Sequence, residues 1–314
     1  MPSNPKKSLK KVKRKFSWTD LKHLGILGLT GIFWRPELKI FFLFYLICFV
    51  EIYKKSKESE HELSGKKIIR YLGTLILSQF NPIMFPLIIK QVYGQIIILF
   101  KNIKGFPDKD NYANKAEYIL PFTGRWKVGN GGTTKENSHS WEIFTQRYAY
   151  DFIIYDSIGL SYKDKGLHLE DYYCFEKEVL SPADGEIVSV SNKIKDYKGV
   201  GDLSLDWKVK DFRGNFVIIK HHNKEYSFIA HFRLDSIKVK KGDKVREGQV
   251  IGLCGNSGHS TEPHIHFHLQ DSENFWVATG LPIKFKKFET LTNENDLKLK
   301  VNDFIEKNEN VNNV

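Results

Sequence analysis

NFVIIKHHNKEYSFIAHF, residues Asn215 to Phe232, holds two runs of eight rich in Val, Ile, Phe and Tyr. Only Asn223 and Lys224 separate them. Residues of this type are enriched in strands, and a two-residue polar spacer reads as a hairpin tip. Working outward, GEIVSVS (Gly185 to Ser191) precedes the hairpin and QVIGLCG (Gln249 to Gly255) follows it, with Gly, Pro and Asp punctuating the intervals. This texture predicts one all-β domain over residues 105–288, built as an antiparallel sheet. The polar segment 289–314, rich in Asn, Lys and Glu, reads as a weak helix or a disordered tail.

Residues 1–104 differ. Lys6, Lys7, Lys10, Lys11, Lys13, Arg14 and Lys15 form a run with no acidic residue among them. Two apolar stretches follow, Leu24 to Trp34 and Ile40 to Val50, and the second reads IFFLFYLICFV without a polar break. A spanning helix needs about 20 apolar residues, and lysines at its ends can snorkel. Leu38 to Tyr53 therefore reads as a short membrane span with a basic cytoplasmic flank. Leu72 to Phe100 is apolar again, but Pro82 and Pro86 break or kink any helix there. A kinked span, a re-entrant segment and a pair of interfacial helices all fit that stretch. The expectation is an α-helical, membrane-associated region ahead of the β domain. No small-residue cleavage motif follows the apolar stretch, so no cleaved leader is expected.

Over all 314 residues, 48 Lys and Arg against 37 Asp and Glu give a formal net charge of +11. Such a charge suits nucleic acid, an anionic membrane or an anionic wall polymer. No nucleic-acid readout motif accompanies the basic run, and no nucleic-acid partner is expected. The three cysteines, Cys48, Cys174 and Cys254, are too few and too scattered for a disulfide framework or a cysteine zinc knuckle.

PHIHFH, Pro263 to His268, carries the chemistry. On a strand, alternate side chains share a face, so His264, His266 and His268 line one side while Ile265 and Phe267 pack on the other. Three imidazoles on one face are poor packing material, because buried polar groups need partners. They point to a metal or catalytic site. His231, in IAHF, sits on a predicted strand of the same domain.

The segment Leu180 to Leu269 resembles the lysostaphin-like zinc metallopeptidases that cut peptidoglycan peptides. The resemblance rests on SPADGEIVSV (Ser181 to Val190), GNFVIIKH (Gly214 to His221) leading to AHF (Ala230 to Phe232), VKKGDKVREGQVIGLCGNSG (Val239 to Gly258) and PHIHFHL (Pro263 to Leu269), in family order. It implies one zinc ion per chain with His266 as a ligand, and His231 and His264 as catalytic residues. His268 stands where the family often has Glu, and is either an orienting partner or a spectator.

The family's H-x-x-x-D motif supplies two more ligands. The matching carboxylate is Asp151 in QRYAYDF, but Arg147, not His, stands four residues before it. Arginine has no lone pair for a metal. Two readings follow. In one, His139 in NSHSW folds back to complete a set of His139, Asp151 and His266, with the Arg147 guanidinium turned away or clamping a substrate anion. In the other, the site is degenerate and the domain is a non-catalytic wall-binding or activating module.

The resemblance therefore implies an endopeptidase acting on peptidoglycan peptides, and the basic and apolar N-terminal stretches add a membrane anchor, with membrane lipid as a second partner. An extracytoplasmic catalytic domain requires an odd number of crossings. His259 is placed to touch substrate, His221 and His222 flank the hairpin tip, and Cys254 reads as core.

Overall fold

The computed structural model describes residues 65–79, 81–291 and 297–314. The apolar stretches 24–34 and 40–50, and the span read over 38–53, lie outside them. The chain divides into two compact units, Met1–Leu72 and Gly73–Val314. Of the first, the described residues 65–72 form the opening turns of helix α1 (Gly65–Gln79).

In the second unit, α1 ends before Asn81 and Pro82, and helix α2 (Met84–Lys101) begins. Asn81 shapes the break. Its Oδ1 accepts from Ile83 N at 2.9 Å, and its Nδ2 donates to the carbonyls of Trp207 and Val209 at 3.1 and 3.2 Å. Pro86 falls in the first turn of α2, where a missing N–H is tolerated. Among the described residues, α2 alone is long and apolar enough, by length and composition, to cross a membrane.

Thirteen strands follow: β1 (Trp126–Asn130), β2 (Tyr150–Ile153), β3 (Glu178–Leu180), β4 (Gly185–Ser191), β5 (Asn215–His222), β6 (Glu225–Phe232), β7 (Lys244–Val245), β8 (Val250–Leu253), β9 (Ile265–Gln270), β10 (Gly280–Leu281), β11 (Phe285–Leu291), β12 (Leu297–Asp303) and β13 (Asn310–Asn313). Eleven make one antiparallel sheet, ordered β12-β11-β13-β1-β2-β9-β6-β5-β4-β7, with β10 beside β9. β3 and β8 form a separate pair. The expected hairpin joins β5 to β6, and Lys224 at its tip takes a left-handed φ of 62°.

Alternation sorts the two faces of the large sheet. Ile265, Phe267 and Leu269 of β9 join Tyr150 and Phe152 of β2, Ile229 of β6, and Val217 and Ile219 of β5 in the main core, which β3 and β8 cover with Val179 and Ile251. The opposite face carries Phe216, Ile218, Phe228 and Ala230, and on β9 it carries the histidines.

In the segment 289–314 the described residues, 289–291 and 297–314, contribute strands where a weak helix or a disordered tail is expected. β11 runs on to Leu291, β12 and β13 both pair with it, and β13 also pairs with β1. Its composition is polar, but Ile305 and Val311 are fully buried, as is Phe288 just before it. Asn313 fastens the end by donating to the carbonyls of Leu120 and Phe122 and accepting from Leu120 N at 3.0 Å. The sheet thus runs past residue 288.

Candidate metal centre

Adjacent central strands β2 and β9 build the site. Asp151 pairs in register with His266, and Ala230 of β6 pairs with His266 from the other side. Tyr150 and Phe152 point into the core, so alternation turns Asp151 to the histidine face. There it is buried, at 6% exposure.

Three histidines converge on this carboxylate. Asp151 Oδ1 lies 2.9 Å from His266 Nδ1 and 3.5 Å from His264 Nε2, and Oδ2 lies 3.3 Å from His139 Nδ1. Asn130, opposite Asp151 on β1, donates its Nδ2 to Oδ2 at 3.4 Å. His231 completes the cluster: it, His264 and His266 offer nitrogens within 4.8 Å of one another. The structure therefore brings together all five residues singled out in the sequence. His139 is the exposed member and marks the open side.

Main-chain carbonyls aim the two remaining imidazoles. His231 Nδ1 donates to Ser257 O at 2.7 Å, and His264 Nδ1 donates to Glu262 O at 2.8 Å. Each ring then presents Nε2 to the centre. His231 does so from a backbone φ of 65°, a region that few non-glycine residues occupy. Nothing in the sequence flagged Ser257 and Glu262 for this part, because carbonyls carry no residue signature.

His268 is a partner of His266. Gln270 Nε2 donates to Ser272 O at 2.6 Å, which turns Gln270 Oε1 toward His268. His268 Nε2 donates to that oxygen at 2.9 Å, leaving His268 Nδ1 as an acceptor 3.3 Å from His266 Nε2. The network thus assigns the His266 proton to Nε2. His266 Nδ1 and the Asp151 carboxylate are then two acceptors facing each other at 2.9 Å. Only a proton or a cation between them relieves that contact.

The electrostatics agree. Burial alone would raise the Asp151 carboxyl, but the imidazoles of His139, His264 and His266 around it outweigh burial and hold the pKa well below the usual carboxylate range. Burial alone would lower His264, yet the Asp151 charge and hydrogen bond raise it to about 9. Burial, then repulsion from His264 and His266, pushes His231 well below the imidazole range.

Two imidazoles and an ionised carboxylate are the donor chemistry of zinc. Donor atoms of a tetrahedral site with bonds of about 2.0–2.2 Å stand roughly 3.3 Å apart. The 3.3 Å from Asp151 Oδ2 to His139 Nδ1 is on that scale, and the 2.9 Å from Oδ1 to His266 Nδ1 is shorter than it.

Arg147 is turned away from the cluster. Its guanidinium lies 4.2, 4.9 and 5.2 Å from the ring centres of Phe106, Phe144 and Trp141, and its Nε donates to Trp141 O at 3.3 Å. His259 does not reach the cluster's hydrogen bonds; its Nε2 lies 3.4 Å from Ser78 Oγ. His221 Nε2 lies 2.7 Å from Ser227 Oγ. Cys254 is core, as expected.

Residues 165–276 match the family model described as Peptidase family M23. The match contains His231, His264 and His266, whereas Asp151 and His139 lie upstream of it. Among curated proteins, the peptidoglycan DD-endopeptidase ShyA of Vibrio cholerae serotype O1 is 41% identical over 76 residues, covering 24% of this chain and 16% of that protein. The glycyl-glycine endopeptidase ALE-1 of Staphylococcus capitis is 49% identical over 37 residues, covering 12% of this chain and 10% of that protein. The chain thus matches less than a fifth of the length of either relative. Among solved structures, the catalytic domain of the antimicrobial peptidase lysostaphin from Staphylococcus simulans is 21% identical with a TM-score of 0.28, covering 55% of this chain and 90% of that one. A zinc-containing peptidase from Vibrio cholerae is 20% identical with a TM-score of 0.32, covering 52% and 39%. Residues 165–276 of this chain thus carry the match to peptidase family M23, alongside partial similarity to ShyA and ALE-1.

Proposed function

We propose that this chain is a membrane-anchored zinc metalloendopeptidase that hydrolyses peptide bonds of bacterial peptidoglycan. One observation carries the reading: the buried Asp151 carboxylate sits within 3.5 Å of His139, His264 and His266. His139, Asp151 and His266 would hold one zinc ion. When bound, zinc supplies a Lewis acid that polarises the scissile carbonyl and activates water.

The rest of the work falls to the chain's own residues. His231 and His264 keep their protons at Nδ1 on main-chain carbonyls and present Nε2 to the substrate. From there they orient the carbonyl, hold or move a proton, and stabilise the charge that develops on the carbonyl oxygen. Gln270 and His268 hold the His266 ring so that Nδ1 faces the metal side. The substrate class comes from the relatives, which are named for cleaving peptidoglycan and glycyl-glycine bonds.

The basic run at Lys6–Lys15 and the apolar stretches that follow support anchoring in the cell membrane with the β domain on the extracytoplasmic side. Incubating the full chain with purified peptidoglycan tests the reading. Fragments with new amino termini should accumulate, stop on chelation and resume when zinc is restored. The rival, a non-catalytic wall-binding module, draws on the packing of Arg147 among aromatic rings in the place of a ligand. It predicts binding to the wall polymer with no new termini.

A further inference from the structure

Helix α2 packs on the β domain with Met84, Gly94 and Ile98 buried, yet its outer side is apolar as well. Polar groups share the side that faces the protein. Gln95 Nε2 donates to Glu142 O at 2.7 Å, and its Oε1 accepts from Phe144 N at 2.9 Å. Lys101 pairs with Asp271 at 2.6 Å, and the next residue, Asn102, donates to Thr279 Oγ1 at 3.0 Å. Gly94 lies so close to the Trp276 carbonyl that no Cβ would fit.

The opposite side is apolar and bare. Pro86, Ile89, Tyr93, Ile96 and Phe100, then Ile103 just past the end, recur at spacings of three and four, and all are exposed. Tyr93, Phe100 and Ile103 reach 63%, 69% and 78% exposure. A helix between water and a core carries polar residues on that outer side. No charge interrupts the stripe. Lys90 flanks it and Lys104 lies beyond its end, both exposed.

The contacts with the β domain run from Lys90, over the Trp276 ring at 5.5 Å, to Asn102. That is about 18 Å of helix at 1.5 Å per residue. A helix held along a folded, water-facing domain for that length cannot also cross the hydrocarbon core, where polar partners and loops are excluded.

We propose that α2 lies flat in the interface of an anionic lipid bilayer, with the stripe from Ile89 to Ile103 in the acyl boundary and the β domain on the aqueous side. Lys90, Lys104 and the net charge of +11 suit anionic headgroups, and Tyr93 is the amphipathic type found at that depth. The stretches 24–34 and 40–50 of the same chain have the composition of membrane segments. The inference rests on the membrane reading above and not on the peptidase chemistry. Because Gln95 grips Glu142, three residues beyond His139, the metal centre is held beside the bilayer, within reach of the wall peptides nearest the membrane.

The test uses the full chain with Cys48→Ser, since Cys174 and Cys254 are buried. Ile89→Cys, Tyr93→Cys, Ile96→Cys and Phe100→Cys each receive an environment-sensitive fluorophore, with Lys240→Cys as an aqueous reference. The chains are reconstituted in phosphatidylglycerol–phosphatidylethanolamine vesicles carrying spin-labelled lipid at several depths. The four helix labels should be quenched at one shared depth, about 5–10 Å into the boundary, with the reference unquenched. Depths graded over roughly 16 Å from Ile89 to Phe100 would show a span and overturn the proposal. Vesicle-bound chain with no quenching at any helix label would show a protein-covered face, from another segment or a second copy, and overturn it too. Full-length chain left in the supernatant would instead sink the membrane reading itself, and the inference with it.

Discussion

Asp151 and His266 stand directly opposite each other on β2 and β9, with Oδ1 and Nδ1 2.9 Å apart on the sheet face that carries the other site histidines. Two residues 115 positions apart in sequence thus share one fixed geometry, set by strand register. Exchanging Asp151 for Asn keeps the shape and removes the charge. Asp151→Asn should lower zinc affinity beyond the roughly 10- to 100-fold typical of an orienting partner. Competition against a fluorescent chelator measures it, and unchanged affinity would remove Asp151 from the ligand set.

His266→Ala should abolish zinc binding, whereas His264→Ala and His231→Ala should keep the metal and lose turnover by about 100- to 10,000-fold. Zinc content and peptide release measured on the same preparations separate the roles. Equal zinc loss in His264→Ala and His266→Ala would refute the division.

The Gln270–His268–His266 chain predicts a tautomer effect. Gln270→Leu removes the acceptor that holds the His268 proton at Nε2. The His266 proton is then no longer confined to Nε2, and zinc affinity should fall about 10- to 100-fold. Nitrogen chemical shifts of His266 should report a mixed tautomer in the variant and a single one in the parent; a single unchanged tautomer would contradict the assignment.

Acid should destabilise the metal-free chain before its carboxylates titrate. Burial pushes His221 and His259 down to about 4, and burial with repulsion from His266 pushes His268 down to about 3. An unfolded chain binds these protons near pH 6.5, so it takes up more protons than the folded one between about 6.5 and 4. Their contribution is whole above pH 6.5 and lost as pH falls through that window. Denaturant midpoints of the metal-free chain should drop steadily from pH 6.5 to 4. A flat profile would mean that these rings are charged in the folded state.

Ile305 tests the C-terminal strands as part of the core. Its side chain is fully buried, so Ile305→Ala should cost about 2–5 kcal/mol. Loss of under about 0.5 kcal/mol, the scale of a surface change, would place it outside the core.

Much of this was legible in the sequence, for identifiable reasons. The β5–β6 hairpin and the two faces of β9 follow from local spacing and period-two alternation, which need no tertiary knowledge. His139 could be nominated because a carboxylate and one histidine leave a ligand missing, and the structure puts it 3.3 Å from Asp151. The C-terminal strands were hidden because composition averages over Ile305 and Val311, two buried anchors in a polar segment. The docking of α2 was hidden for a related reason. Apolarity says that a helix avoids water, but Gln95, Lys101 and Asn102 had to be seen in contact before its protein-facing side was known. The Ser257 and Glu262 carbonyls leave no trace in residue type at all.

The central claim is one zinc held by His139, Asp151 and His266. A crystal of the zinc-loaded chain, with anomalous scattering recorded on both sides of the zinc absorption edge, tests it most directly. The account predicts a single peak with a His139 nitrogen, an Asp151 oxygen and His266 Nδ1 each about 2.0–2.2 Å away. A zinc ion held by His231, His264 and His266 with His139 outside its reach, or no peak at this carboxylate, would contradict it.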